Sequence, residues 1–224
     1  MIELTDWSVT WPDGTAAVKN LSFRIPPGER AALIGGNGAG KSSLIRSLVG
    51  VLPGEGSAVL AGIPVTKKNF TEVRKKVGVV FQNPDDQLFL PRIQDNIAFG
   101  LKNLNVSADE TDRRVRNILL QFNIPDLADR LSMRLSGGEK RLAALASVMV
   151  MEPEVLLLDE PTAFLDPRAR RNLIRVLNRL PQTMLIATHD LSFAAEVCPR
   201  ALVLTRGTLT ADRPTEEIDE DLIS

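Results

Sequence analysis

The stretch Gly35-Gly36-Asn37-Gly38-Ala39-Gly40-Lys41-Ser42 constrains this chain more than any other. It follows an apolar run, Ala31-Ala32-Leu33-Ile34, and precedes a helical pattern with Leu44, Ile45, Leu48 and Val49 on one face. That order predicts a strand, a glycine loop and a helix. Glycines at 35, 36, 38 and 40 let the backbone wrap closely and turn its N–H groups inward, a nest for an anion. A helix starting near Lys41 adds the positive end of its dipole. Lys41 then reaches the β- and γ-phosphates of a nucleotide, and the Ser42 hydroxyl suits a Mg²⁺ ligand. The expected nucleotide contacts are Gly35, Gly36, Asn37, Gly38, Ala39, Gly40, Lys41, Ser42 and Ser43. The bland alternative is a glycine turn with a surface lysine, and the strand and helix on either side argue against it.

A chain of 224 residues, 44% hydrophobic and 25% charged, can bury a full core as one globular domain. The net charge of −1, from 27 basic and 28 acidic residues, lacks the basic footprint of a nucleic-acid binder, so no nucleic-acid partner is expected. Lys67, Lys68, Arg74, Lys75 and Lys76 form the nearest approach to a basic patch, and they read as a solvated face beside a strand. The single cysteine, Cys198, excludes an internal disulfide and a cysteine-based metal site, and fits a cytosolic compartment. The opening residues, Met1 to Asp6, have neither the basic region nor the apolar run of a signal peptide. The longest apolar run, Leu142 to Met151, is about half the ~20 residues of a membrane span and reads as a core helix. Any membrane role therefore requires a partner chain.

Alternation of Leu4, Trp7, Val9 and Trp11, then Val18, Leu21, Phe23 and Ile25, predicts antiparallel strands around Pro12-Asp13-Gly14. Residues 51–65 read as short strands with turns at Pro53-Gly54-Glu55-Gly56 and Ala61-Gly62, and Lys76 to Gln82 as a buried strand. Between 83 and 150 the texture is helical, with Thr111 to Phe122 and the segment after Gly138 as its clearest helices. Strands follow at Val155 to Leu158 and Met184 to Ala187, with a charged helix from Arg168 to Leu180 between them. A strand pair around Arg206-Gly207 and an acidic tail, Glu216 to Asp221, close the chain; the tail reads as a solvated, frayed end. The expected fold is α/β: a P-loop NTPase (RecA-like) core over 1–82 and 151–224, an N-terminal antiparallel β subdomain, and a helical subdomain inserted over 83–150.

Asp159 ends an apolar strand, where its carboxylate can share a Mg²⁺ ion with Ser42. Glu160, one residue on, can polarise a water for in-line attack on a γ-phosphate. His189, the only histidine, ends another apolar strand and can donate to the γ-phosphate or hold the water. Gln82 also ends a strand, as an amide able to coordinate Mg²⁺ or orient water. Leu135-Ser136-Gly137-Gly138-Glu139 sets a hydroxyl and two glycines at a helix start, a second anion site or a serine-capped helix. Head-to-tail pairing of two subunits would explain two phosphate sites in one chain.

Taken in order, Gly35 to Ser42, Gln82, Leu135 to Glu139, Leu158-Asp159-Glu160, Leu165-Asp166 and His189 resemble the motif series of an ABC-transporter ATP-binding subunit. They look like its Walker A, Q-loop, signature, Walker B with catalytic glutamate, D-loop and switch histidine. The resemblance implies ATP and Mg²⁺ as cofactors and a nucleotide-sandwich dimer, with Asp166 at its interface. Trp11 falls where the family carries an aromatic that stacks on adenine, and strand packing fits it equally well. Phe81 to Phe89 is similar to the Q-loop region of energy-coupling-factor ATPases, as are Glu160 to Ala163 and Leu165 to Pro167. These serve importers of cobalt, nickel or vitamins, on the cytoplasmic face of the membrane. The implied partners are a second ATPase subunit, alike or related, an integral membrane coupling protein and a substrate-capture subunit. Phe164 departs from the small residue usual there, and no stretch matches the extra C-terminal domain many of these ATPases carry. A soluble ABC ATPase of the iron–sulfur assembly type and a nucleotide-dependent scaffold or sensor are the alternatives.

Overall fold

A computed structural model describes residues 1–219, so Glu220 and Asp221 of the acidic tail lie outside the described residues. The rest of that tail forms a 3-10 turn over Thr215–Glu217, followed by the buried Ile218. Two compact units are present: of the described residues, 1–79, 154–161 and 181–219 form the first, and 80–153 with 162–180 the second. The sequence boundaries kept 162–180 with the core, whereas this segment packs with the helical unit.

In the first unit, β1 (Ile2–Thr10), β2 (Ala16–Ile25), β4 (Glu55–Leu60) and β5 (Ile63–Pro64) form an antiparallel sheet in the order β2-β1-β4-β5. Alternation along β1 and β2 buries Ile2, Leu4, Trp7, Val9, Leu21 and Ile25, the period-2 pattern of a sheet with one face covered. A second sheet runs β10-β9-β3-β8-β7-β6, from β3 (Arg30–Ile34), β6 (Val77–Val80), β7 (Val155–Asp159), β8 (Thr183–Thr188), β9 (Arg200–Thr205) and β10 (Thr208–Pro214). β3 lies between β8 and β9, parallel to both, and the inner positions of these strands are apolar and buried, with polar residues at their ends, because both faces are covered. Helix α1 (Lys41–Leu48) adds Leu44, Ile45 and Leu48 to the core that joins both sheets.

Several local expectations need correction. Phe70–Lys76 is a helix, α2, so the buried strand starts at Val77 and ends at Val80 rather than spanning 76–82. Val73 is buried, and Arg74, Lys75 and Lys76 fill the last turn, where they suit the negative end of the dipole. Arg74 is not simply solvated, since its Nε donates to the Val49 carbonyl at 3.0 Å. Glu55 and Gly56 belong to β4 instead of a turn. Asp6 (φ +50°) and Gly56 (φ +106°) lie within the irregularity between the pairs Thr5–Ser57 and Ser8–Glu55 where β1 pairs β4. The charged helix, α6 (Pro167–Leu177), stops three residues before the expected Leu180. Helix α7 (Leu191–Val197) follows β8 and was not distinguished in the sequence.

The second unit packs α3 (Ile93–Asn103), α4 (Ala108–Gln121) and α5 (Gly137–Met149), with α6 alongside α5. Ile93, Ile97 and Leu101 of α3 are buried, as are Val115, Ile118 and Leu119 of α4 and Leu142, Leu145 and Met149 of α5. Each set repeats at helical spacing, which is why single apolar stripes suffice to fix the bundle.

Candidate nucleotide-binding and hydrolysis site

The loop between β3 and α1 is shaped by close backbone contact. A Cβ on Gly40, which sits at φ +107°, would meet the Ala17 carbonyl oxygen at 2.2 Å, and one on Gly35 would meet that of Leu204 at 2.3 Å. Gly36 and Gly38 face open space. Gly40 caps α1 without a side chain and the first turn holds no acidic residue, so its N–H groups remain for an incoming anion. A cavity of about 500 Å³ lies between residues 36–39 and Leu204, Thr205, Arg206 and Thr210.

Lys41, 6% exposed, donates to the carbonyls of Gly35 at 2.6 Å and Gly36 at 3.1 Å, and its Nζ lies 3.6 Å from Glu160 Oε1. Its ammonium is thus desolvated but held by acceptors in the loop itself. The Ser42 hydroxyl donates to Asp159 Oδ1 at 2.9 Å, so two oxygens expected to share one cation already touch. Burial pushes the Asp159 carboxyl above the usual range, the Ser42 hydrogen bond opposes this, and the neighbouring Glu160 charge adds to it. Glu160 is buried at φ +44°, outside the ordinary range for a residue with a side chain, and its N–H donates to the Ala187 carbonyl. That twist follows directly on β7 and turns the carboxylate toward Lys41 and His189. His189 Nδ1 donates to Glu160 Oε2 at 2.9 Å, since a carboxylate only accepts. The structure therefore brings Lys41, Ser42, Asp159, Glu160 and His189 together.

Trp11 lies one residue past β1, half-buried, and its Nε1 donates to Ser43 Oγ at 3.2 Å. Trp7 makes the matching bond to Ser47 at 2.9 Å. The two tryptophans read as strand alternation in sequence, and each holds a serine of α1 in the structure. Trp11 thus sits beside the start of the helix that follows the phosphate loop.

In the second unit, Gln82 follows the end of β6 and precedes a 3-10 turn over Pro84–Asp86. Ser136 caps α5 in a complete capping box. Its Oγ accepts from the Glu139 N–H, and Glu139 Oε2 accepts from the Ser136 N–H and hydroxyl, both at 2.8 Å. The Ser136 N–H and hydroxyl are therefore engaged by the chain's own carboxylate, the serine-capped form of this turn. Hydrogen bonds from Ser136 and the nearby Arg130 charge hold Glu139 below the usual carboxylate range. A Cβ on Gly138 would lie 2.5 Å from that of Ala169, so this glycine is needed for α5 to approach α6. Gly137 has no such crowding, with its nearest neighbour the Phe164 carbonyl at 3.7 Å. Leu135 is buried beneath the loop. Asp166 caps α6 through the N–H groups of Arg168 and Ala169, which hold its carboxyl below the usual range. Phe164 is 94% exposed at φ +62°. Sequence reading passed over Arg141, which is 2% exposed in α5.

Residues 18–163 match the profile of the ABC transporter family. The chain belongs to that family. An ABC transporter ATP-binding protein of Geobacter sulfurreducens is 45% identical over 97% of this chain and 88% of its own length, though its assignment is itself putative. The energy-coupling factor transporter ATP-binding protein EcfA of Methanothermobacter thermautotrophicus is 41% identical over 99% of this chain and 73% of its own. Among solved structures, cbiO1 of Clostridium perfringens, part of the ABC transporter complex cbiONQ, superposes with a TM-score of 0.87. It is 35% identical, over 96% of this chain and 89% of that one. A dimeric ATP-binding cassette bound to ADP and Pi has the same fold, with a TM-score of 0.85 at 24% identity over 97% of this chain and all of the other. This ABC transporter chain is accordingly an ATPase whose cofactors are ATP and Mg²⁺. Its residues fit them: an uncapped helix start beside glycines that face open space suits the phosphates, and a buried carboxylate touching a hydroxyl suits the cation. Among the described residues no helix is long and apolar enough to cross a membrane.

Proposed function

We propose that this chain is the ATP-hydrolysing subunit of an importer of the energy-coupling-factor type, held peripherally on the cytoplasmic face of the membrane. Its cargo in this reading is a transition metal ion such as cobalt or nickel, or a vitamin. The cluster of Lys41, Asp159, Glu160 and His189 is the observation that carries the hydrolytic part. Lys41 and the N–H groups of the loop bind phosphate oxygens, and Trp11 stacks on the adenine. Ser42 and Asp159 hold Mg²⁺ with help from Gln82, and the ion supplies positive charge against the phosphates. Glu160 accepts the proton of the attacking water, and His189, hydrogen-bonded to Glu160, positions it. Preorganised charge around the leaving phosphoryl group lowers the barrier.

The importer part is supported by the resemblance of Phe81 to Phe89 to energy-coupling-factor ATPases and by the EcfA relatives. Two copies, or one copy and a close relative, enclose each ATP between the loop of one and Ser136 to Gly138 of the other, with Asp166 at the seam. Gly137 supports this, since nothing among the described residues crowds a side chain there. The membrane coupling protein and the substrate-capture subunit select the cargo. Cells dependent on the importer test the reading: Glu160→Gln should abolish ATP-driven uptake while the chain still co-purifies with a detergent-solubilised membrane protein. Unimpaired uptake, or a chain that never associates with membrane protein, refutes it.

A further inference from the structure

Arg141 is the largest fully buried side chain among the described residues, and the nucleotide chemistry above makes no use of it. It lies one turn into α5. Its Nη1 donates to the Phe81 carbonyl and its Nη2 to the Gln82 carbonyl, each at 2.7 Å. Successive carbonyls of an extended strand point to opposite sides, so capturing both with one planar fork requires the backbone to leave the strand there. β6 indeed ends at Val80. Two further ties run along the same helix. Lys140 Nζ donates to Asp85 Oδ1 at 2.6 Å, and Gln87 Nε2 donates to the Ala144 carbonyl at 2.8 Å and Ser147 Oγ at 3.1 Å. Positions 140, 141, 144 and 147 fall on one face of a helix.

We propose that Arg141 is a positioning residue for Gln82, and that it fastens the segment 81–87 to the helix whose first turn carries Ser136 and Gly137. This rests on the roles given above to Gln82 and the Ser136–Gly138 turn. A guanidinium that fixes the peptide planes on both sides of Gln82 sets where the Gln82 amide points. Because the clamp sits on α5, a displacement of Gln82 carries the start of α5 with it. Charge-assisted bonds in a buried setting make the link stiff.

A double-mutant cycle on the full chain separates positioning from simple structural support. Arg141→Lys keeps the charge and loses the fork. We expect kcat to fall roughly 10- to 100-fold, as for other small displacements of catalytic groups, with the Kd for ATP within twofold. In a Gln82→Ala background the same substitution should cost no further kcat, while its effect on melting temperature persists. Losses that multiply, or wild-type kcat in Arg141→Lys beside an impaired Gln82→Ala, overturn the inference alone. Wild-type kcat in Gln82→Ala refutes the role of Gln82 and this inference with it. Should Arg141→Lys fail to fold, Gln87→Ala loosens the same segment. Its expected loss is about threefold in kcat, absent in the Gln82→Ala background, and an unchanged kcat or a loss retained there is the contrary result.

Discussion

Replacing Glu160 by Gln tests the hydrolytic cluster most sharply, because it changes charge and basicity while keeping size and backbone. Glu160 Oε1 lies 3.6 Å from Lys41 Nζ, in a site where the glutamate side chain is 8% exposed. At that separation and an effective dielectric of about 20, the pair attracts by about 5 kcal/mol. The substitution releases Lys41 from that competitor, yet the ammonium keeps the Gly35 and Gly36 carbonyls. A triphosphate also no longer meets a buried carboxylate. ATP should therefore bind as tightly as to the wild type, or more tightly. Loss of a general base costs about 10²–10⁴ in rate, or ~3–5 kcal/mol on the barrier. Steady-state phosphate release at saturating Mg–ATP measures kcat, and equilibrium binding of ATP measures Kd. The expected result is a large fall in kcat with Kd unchanged or lower. Turnover within a few-fold of wild type would remove Glu160 from the chemistry, and a weakened Kd would show that the Lys41 contact organises the loop.

Trp11→Ala should raise the Kd for ATP about tenfold, as loss of one aromatic stack costs ~1 kcal/mol or somewhat more, and Trp11→Phe should recover most of it; equal affinities in a binding titration would leave Trp11 with packing alone. Glu139 has a folded-state pKa below its unfolded value, so its contribution to stability is present above the unfolded pKa and is lost as pH falls through the folded pKa. Glu139→Gln, which can still cap, should flatten that acid limb in pH-dependent melting, and an unchanged limb contradicts the assignment. Burial pushes the Cys198 thiol up to about 12. Alkylation at pH 8 should then be slow in the native protein and rapid in denaturant, and fast native labelling would show the thiol to be open.

The phosphate loop, the two N-terminal strands, the apolar strands ending at Asp159 and Thr188, and the amphipathic helices of the second unit were legible because each carries a local periodicity or a spaced motif. Less legible were features set by tertiary contact. Phe70–Lys76 holds one fully buried residue, Val73, and its basic last turn read as a solvated face. Asp6 and Gly56 mark a bulge visible only when β1 and β4 pair. Within the site, the residue types and the serine cap of α5 were readable, but the positive φ of Glu160 and the partner of His189 were not. Arg141 escaped notice because an arginine in a charged helical stretch is ordinarily exposed, and burial is a property of the assembled unit.

Nucleotide enclosed between two copies is the central claim, and the mass of the non-hydrolysing Glu160→Gln protein with saturating Mg–ATP tests it most directly. The account predicts that the 24.5 kDa chain doubles in mass when ATP is added and returns to single copies when ATP is withdrawn. A particle that holds one copy with ATP bound, both free and in complex with its membrane partner, would contradict it.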